Sequence, residues 1–361
     1  MTALRAVRAL SGRSVAQAGA GFALCAVLLI WGLPRFGRTT WAEVWQVVGT
    51  VTVTNGLLYL ALVLLGLWSY TLTLAASMPG LSHARAFIVN ICGSSVSNLL
   101  PGGGAVGLAA TLAICRSWGF RKRAVSTSAI VTGVWNTLAR IALPLIAVAT
   151  LTAGRSGMPS LMRNAAIAAV LSGLALVVLV GAAVWSQELS SRIGHGLDWA
   201  LRPLLRRTRR TMSIDALVAD LRERIIDVVR AGWLPLTLGL VGYFGFYYLA
   251  FLAVMRTSGV DLFHGELFAA FAIGRLLTAV GVTPGGLGVS EAGTAAALVA
   301  WGAAPAEATA GVVLFSIFTH LLEVPLGALG WLAWSVLPKT PLEVDDDTDA
   351  DPPDATSASR G

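Results

Sequence analysis

The chain has 361 residues, 56% of them hydrophobic and only 12% charged, with a formal net charge of +7. At a mean hydropathy of +0.74, that composition excludes an ordinary soluble domain and indicates an all-α polytopic membrane protein. Cys25, Cys92 and Cys115 are scattered through apolar segments and the four histidines are isolated in sequence. No zinc spacing, nucleotide loop or nucleophile constellation is present, so the reading expects no metal, no cofactor and no enzyme activity.

In chain order, a basic N-terminus (1–14, with Arg5, Arg8 and Arg13) precedes the apolar run "AGAGFALCAVLLIWGL". That run ends in "WGLPRFGR" with no small-residue cleavage site, so it reads as an uncleaved first span. A helix needs about 20 apolar residues to cross the hydrocarbon core. Segments 53–76, 124–151, 165–185, 232–255 and 306–336 meet that need, giving six full spans with the first. Between 186 and 230 lie nine arginines, including "RPLLRRTRR". Beside membrane spans such a loop belongs on the cytoplasmic side and against anionic inner-leaflet lipids, not on nucleic acid. Its second half, 213–232, has helical apolar spacing and is expected to lie along the inner leaflet as an amphipathic helix. The tail 339–361, with "EVDDDTDADPPD", is acidic and expected to be disordered.

With the arginine loop inside, both termini are cytoplasmic and the chain is a multi-pass protein of the cell membrane. Segment 82–117 then enters and leaves from the cytoplasmic side, before the basic "RSWGFRKR". Segment 262–304 enters and leaves from the outer side. Each is expected to be a re-entrant or broken helical hairpin. The two segments also match in sequence. "LPGGGAVGLAATLAICRSWGF" (100–120) and "TPGGLGVSEAGTAAALVAWGA" (283–303) share Pro-Gly-Gly and Trp-Gly at one separation. The offset of 183 residues holds without a gap from Pro101 to Pro144 and gives 11 identities in 44 positions. A repeat whose copies enter from opposite sides is an inverted-topology repeat, the architecture of secondary transporters. Its copies are taken as about 53–151 and 231–337, within an integral domain over 15–338.

Proline removes a backbone donor and paired glycines free φ, so Pro101, Gly102 and Gly103 break one segment and Pro284, Gly285 and Gly286 the other. In the bilayer such breaks persist only inside protein or beside a wet cavity. The half-helices that follow, from about Gly104 and from Ser290 as N-cap, offer positive N-terminal poles for an anionic group. Glu291 sits in the first turn after the second break. A helix dipole contributes up to about 1 kcal/mol there, while an acid at membrane depth costs about 2.5–3.5 kcal/mol on the insertion scale. Glu291 therefore needs a partner or a wet cavity, and Arg275 is the nearest candidate in sequence. Arg140 and Glu323 are equivalent under the offset. They are expected either to pair across the repeat axis or to flank a headgroup site, with Asn136 and His320 beside them.

The segments "SNLLPGGGAVGLAATLAICRSWG" and "GRLLTAVGVTPGGLGVSEAG" resemble the two signature segments of the transmembrane region of lysylphosphatidylglycerol synthases and their stand-alone, flippase-like relatives. The likeness runs over about 40–337. It implies movement of a lipid headgroup, aminoacylated, polyprenyl-linked or other, across the cytoplasmic membrane. This chain departs from the family pattern at Val106-Gly107-Leu108, where a Gly-Glu pair is common, and at Ser316, where an arginine is common. With no synthetase domain expected after 337, aminoacyl transfer is not implied. The reading is thus a lipid flippase-like protein, compatible with an oligomer. A secondary transporter of a small anion and a scaffold for a membrane glycosyltransferase or synthetase are the alternatives. Arg140, Arg275, Glu291, Glu323, Asn136, Ser290 and the two Pro-Gly-Gly breaks are its candidate substrate-binding groups.

Overall fold

The computed structural model describes residues 39–99, 103–154, 214–278 and 283–340, with the single residues 27, 30, 31, 35 and 171. The expected spans from residue 18 and over 165–185 lie outside the described residues, as do the N-terminus, the loop up to 213, the tail from 341, Pro101 and Gly102. Among the described residues every regular element is a helix. A short α1 (Trp41–Val48) is followed by α2 (Val53–Ser77), then by a hairpin of α3 (His83–Leu99) and α4 (Gly103–Ser117). Next come α5 (Lys122–Gly154) and α6 (Ile214–Thr257), then a second hairpin of α7 (His264–Leu277) and α8 (Val289–Ala300). The last span is α9 (Pro305–Ser316), a π-helical turn at Ile317–Leu321, and α10 (Glu323–Val336).

Four stretches are long and apolar enough to cross a membrane: Val53–Ser77, Lys122–Leu151, Glu223–Thr257 and Pro305–Val336. They coincide with four of the expected spans. Their outward faces carry exposed Leu57, Leu65, Val241, Leu329 and Leu332. In water that surface would drive aggregation, whereas lipid solvates it, as expected of a multi-pass membrane protein. The hairpin arms are shorter. At 17 and 15 residues in the first hairpin and 14 and 12 in the second, they reach about 18–26 Å at 1.5 Å per residue, short of the roughly 30 Å hydrocarbon core.

One expectation is corrected. The segment 213–232 is not a separate helix along a leaflet, because α6 runs unbroken for 44 residues through it. Gly232 does not end the helix. It lets α6 approach α2, where an added Cβ would lie 3.3 Å from Ala76, and small residues at such crossings favour continuous packed helices.

The α2–α6 contact organises the bundle. Gly66 makes room for the Tyr247 ring, Gly242 sits on Ser69, Gly239 on Thr73 and Gly232 on Ala76. Thr73 also donates to the Leu236 carbonyl at 3.0 Å, and the Tyr59 and Thr257 hydroxyls meet at the far end. Rising numbers on α2 thus face falling numbers on α6: the two run antiparallel. The hairpins are exchanged between halves. In α10, Gly327 and Gly330 admit Ser95 and Ile91 of α3, and in α7, Gly265 fits against Thr150 of α5. An apolar core built on Tyr59, Leu67, Tyr247, Phe251, Phe271 and Phe315 fills the space between α2, α6, α7 and α9.

Candidate functional site

Of the two breaks, the second lies inside the bundle against the end of α3, while Pro101 and Gly102 of the first lie outside the described residues. The second is a tight turn in which Gly285, Gly286 and Gly288 take φ of 59°, 76° and 85°, values that only glycine adopts without strain. The turn reaches Asn98, the penultimate residue of α3, whose Oδ1 would lie 2.7 Å from a Cβ at Gly285. The helix after this turn starts at Val289 with Gly288 as N-cap. Ser290 is therefore not the cap: the three left-handed glycines bring the chain into the helix two residues sooner. It lies in the first turn, donating to the Gly286 carbonyl at 3.1 Å and to Glu291 Oε2 at 2.9 Å.

A cavity of about 620 Å³ opens beside the breaks, walled by α2 to α7, the second break, the π-turn and α10. About half of its lining is polar, whereas the bundle's outer face is apolar. Arg140, Arg275, Asn136, Glu323, Gly285 and Gly286 all face it. Arg140 donates from Nε to Asn136 Oδ1 at 3.0 Å, and from Nη1 to the Arg275 carbonyl at 2.9 Å and to Thr278 Oγ1 at 2.6 Å. It thus caps the C-terminus of α7, where the helix dipole favours a cation. Glu323 holds the equivalent place on α10. Its Oε2 accepts from Asn98 Nδ2 at 2.9 Å and its Oε1 from the Tyr247 hydroxyl at 3.0 Å. Each member of the expected Arg140–Glu323 pair thus reaches the end of the other half's hairpin arm, and the two do not pair with each other. Arg256 and Asp261, by contrast, do form an ion pair, at 2.9 Å.

Arg275 does not pair with Glu291 either. Its guanidinium lies 5.4–5.9 Å from the ring centroids of Phe315, Phe271 and Tyr247, within cation–π range. Its buried Nε has no hydrogen-bond partner among the described residues, and neither does Thr283 Oγ1. Glu291, 3% exposed, instead accepts from the Gly288 N–H and from the hydroxyls of Ser290 and Ser316, the last at 2.6 Å. A helix N-terminus and two hydroxyls take the role expected of an arginine. These groups border a second, smaller cavity of about 20 Å³, room for one water. Arg275 and His320 form the wall shared by the two cavities. His320 lies in the π-turn, its Nδ1 3.1 Å from Thr319 Oγ1.

The two cavities are related. Under the offset, Ser290, Glu291, Thr294, Val312, Phe315 and Ser316 of the small one correspond to Gly107, Leu108, Thr111, Ala129, Thr132 and Gly133, which all line the large one. In the second half the α8–α9 seam is shut, with Glu291 bonded to Ser316. In the first half the α4–α5 seam holds Leu108 and Gly133 at those positions, both exposed. An added Cβ at Gly133 or at Gly104 meets no atom within 4 Å among the described residues.

Of the other candidates, Gly103 is packed against the Ser97 backbone of α3, Pro284 opens the second turn, and Pro101 and Gly102 lie outside the described residues. The sequence reading passed over Asn98, Tyr247, Thr278 and Thr283. Asn98 and Thr283 flank the two Pro-Gly-Gly triplets, a usable signal, whereas nothing in "GYFGFYY" distinguishes Tyr247 from a core aromatic.

Comparison with known proteins gives one family finding: the model described as the lysylphosphatidylglycerol synthase TM region matches residues 18–327. No curated protein matches the chain, and no solved structure does.

Proposed function

Because the chain belongs to the family of the lysylphosphatidylglycerol synthase transmembrane region, we propose that it moves the headgroup of an anionic membrane lipid across the cytoplasmic membrane through this cavity. The observation that carries the reading is the pair of unequal seams. A half-polar cavity reaches the exposed flank at Gly104, Leu108 and Gly133, and its counterpart in the other half is closed by Glu291 and Ser316. A lipid needs a side opening, because its tails stay in the bilayer while the headgroup moves. A soluble anion needs none, and that favours the lipid over a small solute.

In this reading α3–α4 and α7–α8 are re-entrant hairpins, for which the short arms speak, and the halves form an inverted repeat, for which the antiparallel equivalent helices α2 and α6 speak. Opening one seam as the other closes exposes the cavity to alternate sides. Arg140 and Arg275 hold the phosphate, and the Pro284-Gly285-Gly286 turn lets backbone approach the headgroup. Glu291 and Ser316 latch the closed seam. Both termini face the cytoplasm, and the basic stretch before α6 meets anionic lipids of the inner leaflet.

The test is headgroup accessibility of labelled phosphatidylglycerol in proteoliposomes, wild type against Gly133→Leu. A Cβ at this site meets no atom within 4 Å among the described residues, so the fold should tolerate the substitution while the seam narrows. Translocation is expected to slow about tenfold or more, equivalent to 1.4 kcal/mol on the barrier. An unchanged rate would remove the α4–α5 seam as the route.

A further inference from the structure

From the charge and hydrogen-bond inventory of the large cavity, we infer that it selects a monoanionic phosphodiester bearing an uncharged, hydroxyl-rich group, a sugar or polyol, and rejects cationic headgroups. This rests on the lipid-translocation reading and names its substrate class. Among the described residues three charged side chains line the cavity, Arg140, Arg275 and Glu323, with fourteen uncharged hydroxyl and carboxamide side chains, several of them already bonded to the protein's own backbone or side chains. With Glu323 ionised the wall carries a formal charge of +1, matched by a single phosphodiester.

Glu323 is partly committed, since Asn98 and Tyr247 each donate to one of its two oxygens, and it is the one acid against two arginines on the described wall. Arg275 is the opposite case. Aromatic rings hold it in place, and its Nε makes no hydrogen bond among the described residues, so it is set to donate to an anion. Thr283 Oγ1, 2% exposed and unpartnered, faces the same space. An unsatisfied buried hydroxyl costs about 1–3 kcal/mol, a deficit that a ligand hydroxyl offsets. The volume accommodates a group equivalent to about 20 waters at roughly 30 Å³ each, far beyond a bare phosphate. A headgroup bringing many hydroxyls satisfies such walls, whereas one bringing ammonium groups meets two arginines and a single carboxylate that already accepts two hydrogen bonds.

The test separates binding from transport. Purified protein in detergent is titrated with short-chain phosphatidylinositol, phosphatidylglycerol, a glucosyl phosphoprenol, phosphatidic acid and lysylphosphatidylglycerol, and with free glycerophosphoinositol, following thermal stabilisation. Phosphatidylinositol or the glucosyl phosphoprenol is expected to bind at least tenfold more tightly than the lysylated lipid. Thr283→Val should erase the preference for phosphatidylinositol over phosphatidic acid, while Arg275→Gln should weaken every anionic ligand. Binding of glycerophosphoinositol as tight as that of the lipid would keep the headgroup chemistry and assign it to a soluble ligand. Equal or tighter binding of the lysylated lipid, or a Thr283→Val protein with unchanged selectivity, would overturn the proposal. Loss of translocation in proteoliposomes despite selective binding would count against the parent reading alone.

Discussion

Replacing Arg140 by lysine keeps the charge and removes the fork. The guanidinium reaches three groups at once: Asn136 Oδ1, the Arg275 carbonyl and Thr278 Oγ1. A single ammonium on a flexible stem cannot span all three, so about two bonds are lost. In soluble proteins a hydrogen bond to a charged group contributes about 1.5–3 kcal/mol. Between membrane helices the average is nearer 0.6, with a maximum of about 1.7, because the unfolded chain in the bilayer also finds partners. The membrane figures govern here and give roughly 1–3 kcal/mol for Arg140→Lys.

Thr278→Ala removes one of the same acceptors together with that hydroxyl's own bond to the Arg275 carbonyl, so the two substitutions must not add. Equilibrium unfolding in mixed micelles, followed by the fluorescence of the 12 tryptophans, measures the cycle. A coupling of about 1 kcal/mol is expected, well above the 0.3–0.5 kcal/mol scatter of independent sites. Additivity within that scatter would mean that Arg140 does not hold the end of α7.

Two further outcomes follow from the packing. Gly66→Ala places a Cβ 2.7 Å from the Tyr247 ring and should cost about 1–3 kcal/mol by overpacking. The loss should shrink when Tyr247 is made leucine, and an unchanged melting temperature for Gly66→Ala alone would contradict the close α2–α6 crossing. Ser316→Ala removes the 2.6 Å bond to Glu291, and should raise the labelling by a polar thiol reagent of a cysteine placed at the buried Val312, in a background lacking Cys25, Cys92 and Cys115. Unaltered labelling would show that the α8–α9 seam is held by something else.

The hairpins were legible because Pro-Gly-Gly is a rare interruption of an apolar run and its freed backbone groups must face protein or water. The four described spans were legible from run length alone. The partners of the buried charges were not. Offset arithmetic brought Arg140 and Glu323 together as equivalents, but in the fold each reaches across to the other half, Arg140 to the end of α7 and Glu323 to the end of α3. Sequence proximity likewise suggested Arg275 for Glu291, whereas the aromatic faces that hold Arg275 come from α6, α7 and α9, a convergence that no local pattern announces. The π-turn that carries His320 has no proline or glycine inside it and leaves no mark in the sequence.

In the inverted-repeat reading proposed above, the antiparallel crossing of α2 and α6 has a thermodynamic consequence. If the halves traded conformations, the backbone of the two repeats would look the same from the opposite face. The repeats then contribute to the free-energy difference between the two forms through the positions where they differ, and Glu291 with Ser316 against Leu108 with Gly133 is the most polar such difference at the seams. A few substitutions at those positions would tilt the resting population toward one face, leaving the architecture untouched.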